Sequence, residues 1–175
     1  DAALAGLPGK TYSMKIVVGG QTFTALSTMP LKKNLDSLYI TRDNVFGDIY
    51  YLSNISFRDP AGMGDSYSCT QFVNGKKTDQ IFVTNDDYFD NRQIESKLYM
   101  NPGGDEKDKI KPGDTVKMDF MCIDPAVYKY WFSLQQSATG SNQSAAPANP
   151  VTNIKGGALG YFTAQTLQTK TVTVQ

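Results

Sequence analysis

Apolar side chains recur at every second position along most of this chain, the period of a strand with one buried face. Residues 11–18, Thr-Tyr-Ser-Met-Lys-Ile-Val-Val, alternate and then run apolar; Gly19-Gly20 follows, and Gln21 to Thr28 resumes the β-rich pattern. Two such runs joined by Gly-Gly predict a tight hairpin, because glycine supplies the positive φ that such turns require. Pro30 ends the second strand, since it has no N–H for a ladder. Further strands are predicted over Leu35–Thr41, Asp48–Phe57, Tyr67–Val73, Gln80–Thr84, Ile94–Met100 and Thr115–Ile123. Asn74-Gly75 is the strongest hairpin signal and joins Tyr67–Val73 to Gln80–Thr84. Ala158–Ala164 and Thr169–Val174 are read as closing strands.

The period changes once. Asp124-Pro125 pairs an N-cap residue with proline at the first helical position. Val127, Tyr128, Trp131 and Leu134 then fall at helical spacing, a stripe that predicts Trp131 packed against the sheet. The stretches near 101–111, charged and glycine-rich, and 137–149, rich in Ser, Ala and Asn, are expected to be flexible or irregular. About ten short strands and one late amphipathic helix predict a mostly β fold. The expected form is a single domain over 1–175, an antiparallel meander closing into a lipocalin-like barrel or a sandwich.

Composition narrows the chemistry. Lys+Arg and Asp+Glu are equal at 17 each among 175 residues, without the basic excess or stripe of a nucleic-acid binder. Histidine is absent. That removes Ser-His-Asp and Cys-His nucleophile activation, and with them every histidine-ligated zinc, copper or iron centre. A metal would need oxygen ligands, which favours calcium or magnesium. Cys69 and Cys122 are too far apart in sequence for a redox pair or a zinc knuckle. Two buried thiols and one disulfide both remain open. No apolar run approaches the ~20 residues that span a bilayer. The chain opens on Asp1-Ala-Ala-Leu without a leader pattern, as expected of a mature or trimmed product.

Two clusters offer binding chemistry. Asn85, Asp86, Asp87, Asp90 and Asn91 place closely spaced carboxylates and amides on one loop, so Asp86, Asp87 and Asp90 are the calcium candidates. The competing reading is turn chemistry, in which Asp and Asn side chains accept from nearby backbone amides. Tyr50, Tyr51, Phe57 and Trp131, with Tyr67 and Phe72, are candidates to line an aromatic pocket for a sugar or an apolar ligand, against ordinary core packing. Gly156, Gly157 and Gly160 are read as positive-φ turn positions, with Asn153 bonding backbone groups beside them. No spacing rule selects a catalytic pair among the carboxylates, so the chain is read as a non-enzyme, a carboxylate-based hydrolase being kept only as a remote alternative.

The tail from Asn149 to Ala164, Asn-Pro-Val-Thr-Asn-Ile-Lys-Gly-Gly-Ala-Leu-Gly-Tyr-Phe-Thr-Ala, resembles the C-terminal signature of a Bacteroidetes lipoprotein family, domain of unknown function 4249. Gly9 to Ile16, Thr28-Met-Pro with Leu35-Asp-Ser, Asn85 to Asn91, Pro112 to Val116 and Ile123 to Tyr130 resemble its other segments in the same order. Asn91 stands where the family pattern has glycine. The family's N-terminal part, a lipidated cysteine and an immunoglobulin-like region, has no counterpart here. The resemblance therefore implies the C-terminal part of a lipid-anchored, surface-exposed outer-membrane protein. It also implies an accessory role beside a TonB-dependent receptor in nutrient uptake. Such an accessory predicts an exposed apolar patch, a lipocalin-like carrier predicts a deep cavity, and a hydrolase predicts two acids facing each other in a cleft.

Overall fold

A computed structural model describes residues 5–45, 47–80, 82–98, 109–138 and 149–175. Its order is β1 (Thr11–Val18), β2 (Gln21–Thr28), β3 (Leu35–Val45), β4 (Asp48–Arg58), β5 (Ser66–Val73), β6 (Lys76–Lys77), β7 (Phe82–Asn85), β8 (Gln93–Leu98), β9 (Thr115–Cys122), α1 (Pro125–Ala138), β10 (Ile154–Lys155) and β11 (Thr166–Thr173). All pairings are antiparallel. The strands form three sheets, in the orders β1-β2-β10, β3-β4-β8 and β11-β9-β5-β6, with β7 also on β5.

The last two sheets share one core. Leu35, Ile55, Phe57 and Leu98 come from one sheet, and Tyr67, Cys69, Met118, Phe120 and Cys122 from the other. At its centre three rings meet, with centroids 4.7 Å apart for Phe57 and Tyr67 and 4.9 Å for Phe57 and Phe120. Such tilted contacts suit the ring quadrupoles, and rings of this size dominate core burial. A second cluster, Ile110, Val116 and Val174, fills the far end. On β9 the alternation is complete: Val116, Met118, Phe120 and Cys122 are all buried, with less buried residues between them.

Two sheets face to face fit a sandwich. No ladder closes them into a barrel among the described residues. On one side β3 and β11 are joined through a side chain: Gln168 Oε1 accepts from the Leu35 amide at 2.6 Å, and its Nε2 donates to Asn34 Oδ1 at 3.1 Å. On the other side β7 and β8 are both edge strands.

Several local expectations hold for the anticipated reasons. Asn74 and Gly75 have φ of 51° and 79°, the left-handed pair that a two-residue hairpin turn needs. The strand after that turn is split into β6 and β7, because the Thr78 amide and hydroxyl both donate to Gln71 O and take the ladder out of step. Residues 158–164 are not a strand. Asn153 Oδ1 accepts from the Phe162 amide at 2.9 Å and its Nδ2 donates to Phe162 O at 2.7 Å, so a side chain takes the partners a ladder would use. The expected loop over 101–111 and the irregular run over 137–149 lie mostly outside the described residues.

The helix starts at Pro125, where the sequence places it. Asp124 Oδ1 accepts from the Ala126 amide at 2.8 Å, and Oδ2 accepts from the Thr28 amide at 2.7 Å. One carboxylate thus caps α1 and fixes the end of β2 to it. Asp124→Ala is expected to lower stability by about 1–2 kcal/mol, read as a shift in the denaturation midpoint. Trp131 is half-buried and stands edge-on to Tyr161 of the C-terminal segment, centroids 5.2 Å apart, while the helix that carries it packs on β7 and β5. The buried anchor of the helix is Val127.

Candidate functional site

The two candidate clusters are dispersed by the fold. Tyr50 and Tyr51 lie half-buried at the far end of β4. Lys109 Nζ lies 5.3 Å from the Tyr50 ring centre, and Tyr51 packs beside Ile110 and Val116. Phe57 is in the central core and Trp131 is on the helix against Tyr161. Of these four rings only Phe57 borders the cavity at the β7–β8 side.

The three carboxylates of the acidic run part company in the fold. Asp86 is buried, and its carboxylate accepts from the Gly64 amide at 2.8 and 3.0 Å and from the Asp65 amide at 3.0 Å. Asp90 Oδ1 accepts from the Gly62 amide at 2.7 Å, while Asp87 is exposed. Turn chemistry is therefore what Asp86 and Asp90 display, but across two loops instead of within one. Asn91 adopts φ 57°, a left-handed position that asparagine tolerates and glycine favours.

The carboxylates that do converge are Asp59, Asp65 and Asp86, with oxygens within 4.8 Å of one another. Asp59 takes the Tyr67 hydroxyl on Oδ1 and the Asn91 amide on Oδ2, at 3.2 Å for the latter. Lys33 Nζ pairs with Asp65 at 3.1 Å. Calcium needs six to eight oxygens. Here the oxygens of Asp59 and Asp86 already accept protein donors, so the arrangement fits a pinned pair of loops better than an ion cage. It also fits a catalytic dyad poorly, since Asp59 is wholly buried. Nothing in the sequence links Asp59, Asp65 or Lys33 to Asp86; the β5–β7 pairing sets Asp65 beside Asp86, Asp59 comes in from the end of β4, and Lys33 joins from the β2–β3 connection.

Burial holds the Asp59 carboxyl above the ordinary carboxylate range, against the lowering effect of its two donors. A raised pKa in the folded state means that folding favours the protonated form. Stability is therefore expected to rise as pH falls from neutral through the folded pKa of Asp59, the gain being complete below its unfolded value. Comparing melting temperature against pH for the native chain and Asp59→Asn isolates this contribution: the variant should lack the increment.

The cysteines are free thiols. Tyr67 faces Cys122 and Cys69 faces Phe120, so the two cysteines are diagonal neighbours on one face. Diagonal positions lie roughly 7–8 Å apart, too far for a disulfide without backbone movement. Burial pushes the Cys69 thiol up to about 12, which makes it inert.

Two surfaces remain. One is a cavity of about 390 Å³ at the β7–β8 side, floored by Phe57, Tyr67 and Phe120 and bordered by Phe82, Phe89 and Ile94. The other is the β1–β2 hairpin, which carries Ile16, Val17, Val18 and Leu26 on its surface, with Val17 and Val18 exposed at 59% and 63%. Consecutive exposed residues in a strand put apolar side chains on both faces of the hairpin.

Fold and surfaces together define a two-sheet antiparallel β domain with an attached hairpin and one capped helix. The model of the family described as Domain of unknown function (DUF4249) matches residues 3–171, and the chain belongs to that family. No curated protein and no solved structure matches it.

Proposed function

We propose that the chain is a non-catalytic binding domain of a surface-exposed outer-membrane lipoprotein, an accessory to a TonB-dependent receptor in nutrient uptake. The observation that carries this reading is the apolar hairpin. Isolated surface apolar residues are normal, but Ile16, Val17 and Val18 run together beside a glycine turn, as expected where a partner covers them. Among the described residues no helix is long and apolar enough to cross a membrane. Attachment by a lipid on a preceding segment agrees with that. Affinity capture of the lipidated, full-length protein from the outer membranes of its own bacterium tests the reading. A TonB-dependent receptor is expected to come down with it, and capture without any such receptor would refute the accessory role.

A lipocalin-like carrier is the second reading, favoured by the cavity. Its weakness is physical: Phe57, Tyr67 and Phe120 are each only 1% exposed, so the interior is packed and the free volume lies at an edge.

A further inference from the structure

The cavity has a feature that a small-ligand pocket does not need. Its lining includes three consecutive residues of β7, Phe82, Val83 and Thr84, and five of β8, Ile94 through Leu98. Successive side chains of a strand point to opposite faces. Consecutive residues can border one space only when the backbone edge of the strand faces it. Both strands are sheet edges, β8 pairing with β4 alone and β7 with β5 alone among the described residues. Rows of backbone donors and acceptors thus flank the opening, above an apolar floor.

The charges at the rim have a sign. Lys97 is held by Asp43 at 2.5 Å. Glu95 is exposed on the outward face of β8, and among the described residues no cation pairs with it.

We propose that this side of the sandwich is a strand-addition site: an extended peptide adds to the free edge of β8, with apolar side chains entering the cavity at alternate positions and a basic residue facing Glu95. Strand addition draws affinity from main-chain hydrogen bonds and specificity from wells for alternate side chains, and both elements are present here. The lengths of β7 and β8, four and six residues, set the length of the segment. An apolar small molecule would fill the floor and leave the β8 backbone edge unpaired. An opposite charge across an antiparallel pair adds selectivity. The site is separate from the β1–β2 hairpin and does not rest on the receptor-docking reading.

The test uses acetylated hexapeptides with valine or phenylalanine at alternate positions and one lysine between them. Binding is read by fluorescence anisotropy and by amide exchange of the chain. The expected result is saturable binding with new protection of amides within residues 93–98. Methylating alternate peptide nitrogens should weaken binding by at least about tenfold, because the ladder bonds are lost. Glu95→Lys should weaken the lysine peptides by about fivefold and favour their glutamate counterparts instead. Val17→Asp should leave peptide affinity unchanged, which separates this site from hairpin docking. No binding by any peptide of the set would overturn the proposal. So would equal binding of the methylated peptides, or an apolar dye occupying the cavity with no peptide able to compete and no change at the β8 amides.

Discussion

Replacing Asp86 with alanine is expected to destabilise the fold by about 3 kcal/mol, a fall of roughly 10 °C in melting temperature for a domain of this size. The side chain is buried and accepts from two backbone amides, those of Gly64 and Asp65. A buried carboxylate that gathers such donors contributes through charge-assisted hydrogen bonds. Removing it leaves both amides without their acceptor, and the 60–65 loop then stays joined to the 86–91 turn only through the Asp90–Gly62 bond and backbone contacts. Asp87→Ala is the control. Asp87 is exposed, so its loss should stay within about 0.5 kcal/mol. Equal effects of the two substitutions would show that the loops are not pinned through Asp86.

Gly156→Ala should cost about 2–3 kcal/mol. Gly156 has φ 108°, and a Cβ added there would lie 2.6 Å from Thr22 O and 3.0 Å from Phe23 Cδ1. The backbone oxygen cannot yield as a flexible side chain would. The β10 segment must therefore shift off β2, taking with it the Gln21 Nε2 bond to Gly156 O at 2.8 Å. Gly157→Ala makes the comparison clean, because its φ of 86° is strained but the space around it is open. It should lose about 1 kcal/mol, from backbone strain alone. Hydrogen exchange in β2 should quicken for the Gly156 variant and hardly change for the Gly157 variant.

These two positions show what a sequence can and cannot reveal. Strongly local signals were legible. Gly19-Gly20 and Asn74-Gly75 turn where their backbone freedom says they should, and Asp124-Pro125 starts the helix at the expected residue. The 3.6 spacing of Val127 and Trp131 was also real, but periodicity gives a face and not a partner. Trp131 consequently sits against Tyr161 from the far end of the chain. The aromatic list failed for the same reason. Tyr50, Tyr51 and Phe57 share one strand, yet its length carries the first two to the opposite end from the cavity.

The acidic run was legible as a cluster, but not the carboxylates from elsewhere that join it. Spacing along the chain treats Asp86, Asp87 and Asp90 alike. The fold separates them by burial, and it recruits Asp65 through the β5–β7 pairing and Asp59 from the end of β4, both more than twenty residues away. The cavity between β7 and β8 leaves no mark in the sequence, because an edge is defined by the absence of a neighbouring strand. A barrel and a sandwich likewise share the same alternating pattern; which one forms depends on whether the last edges meet.

Affinity capture of the full-length protein from the membranes of its own bacterium, run side by side with a Val17→Asp, Val18→Asp variant, tests the proposed docking through the hairpin most directly. Both side chains are exposed, so the variant should fold with the native melting temperature within about 2 °C. The native protein is expected to bring down a TonB-dependent receptor and the variant to lose it. Recovery of the same receptor in equal amount by both proteins would contradict docking through this surface.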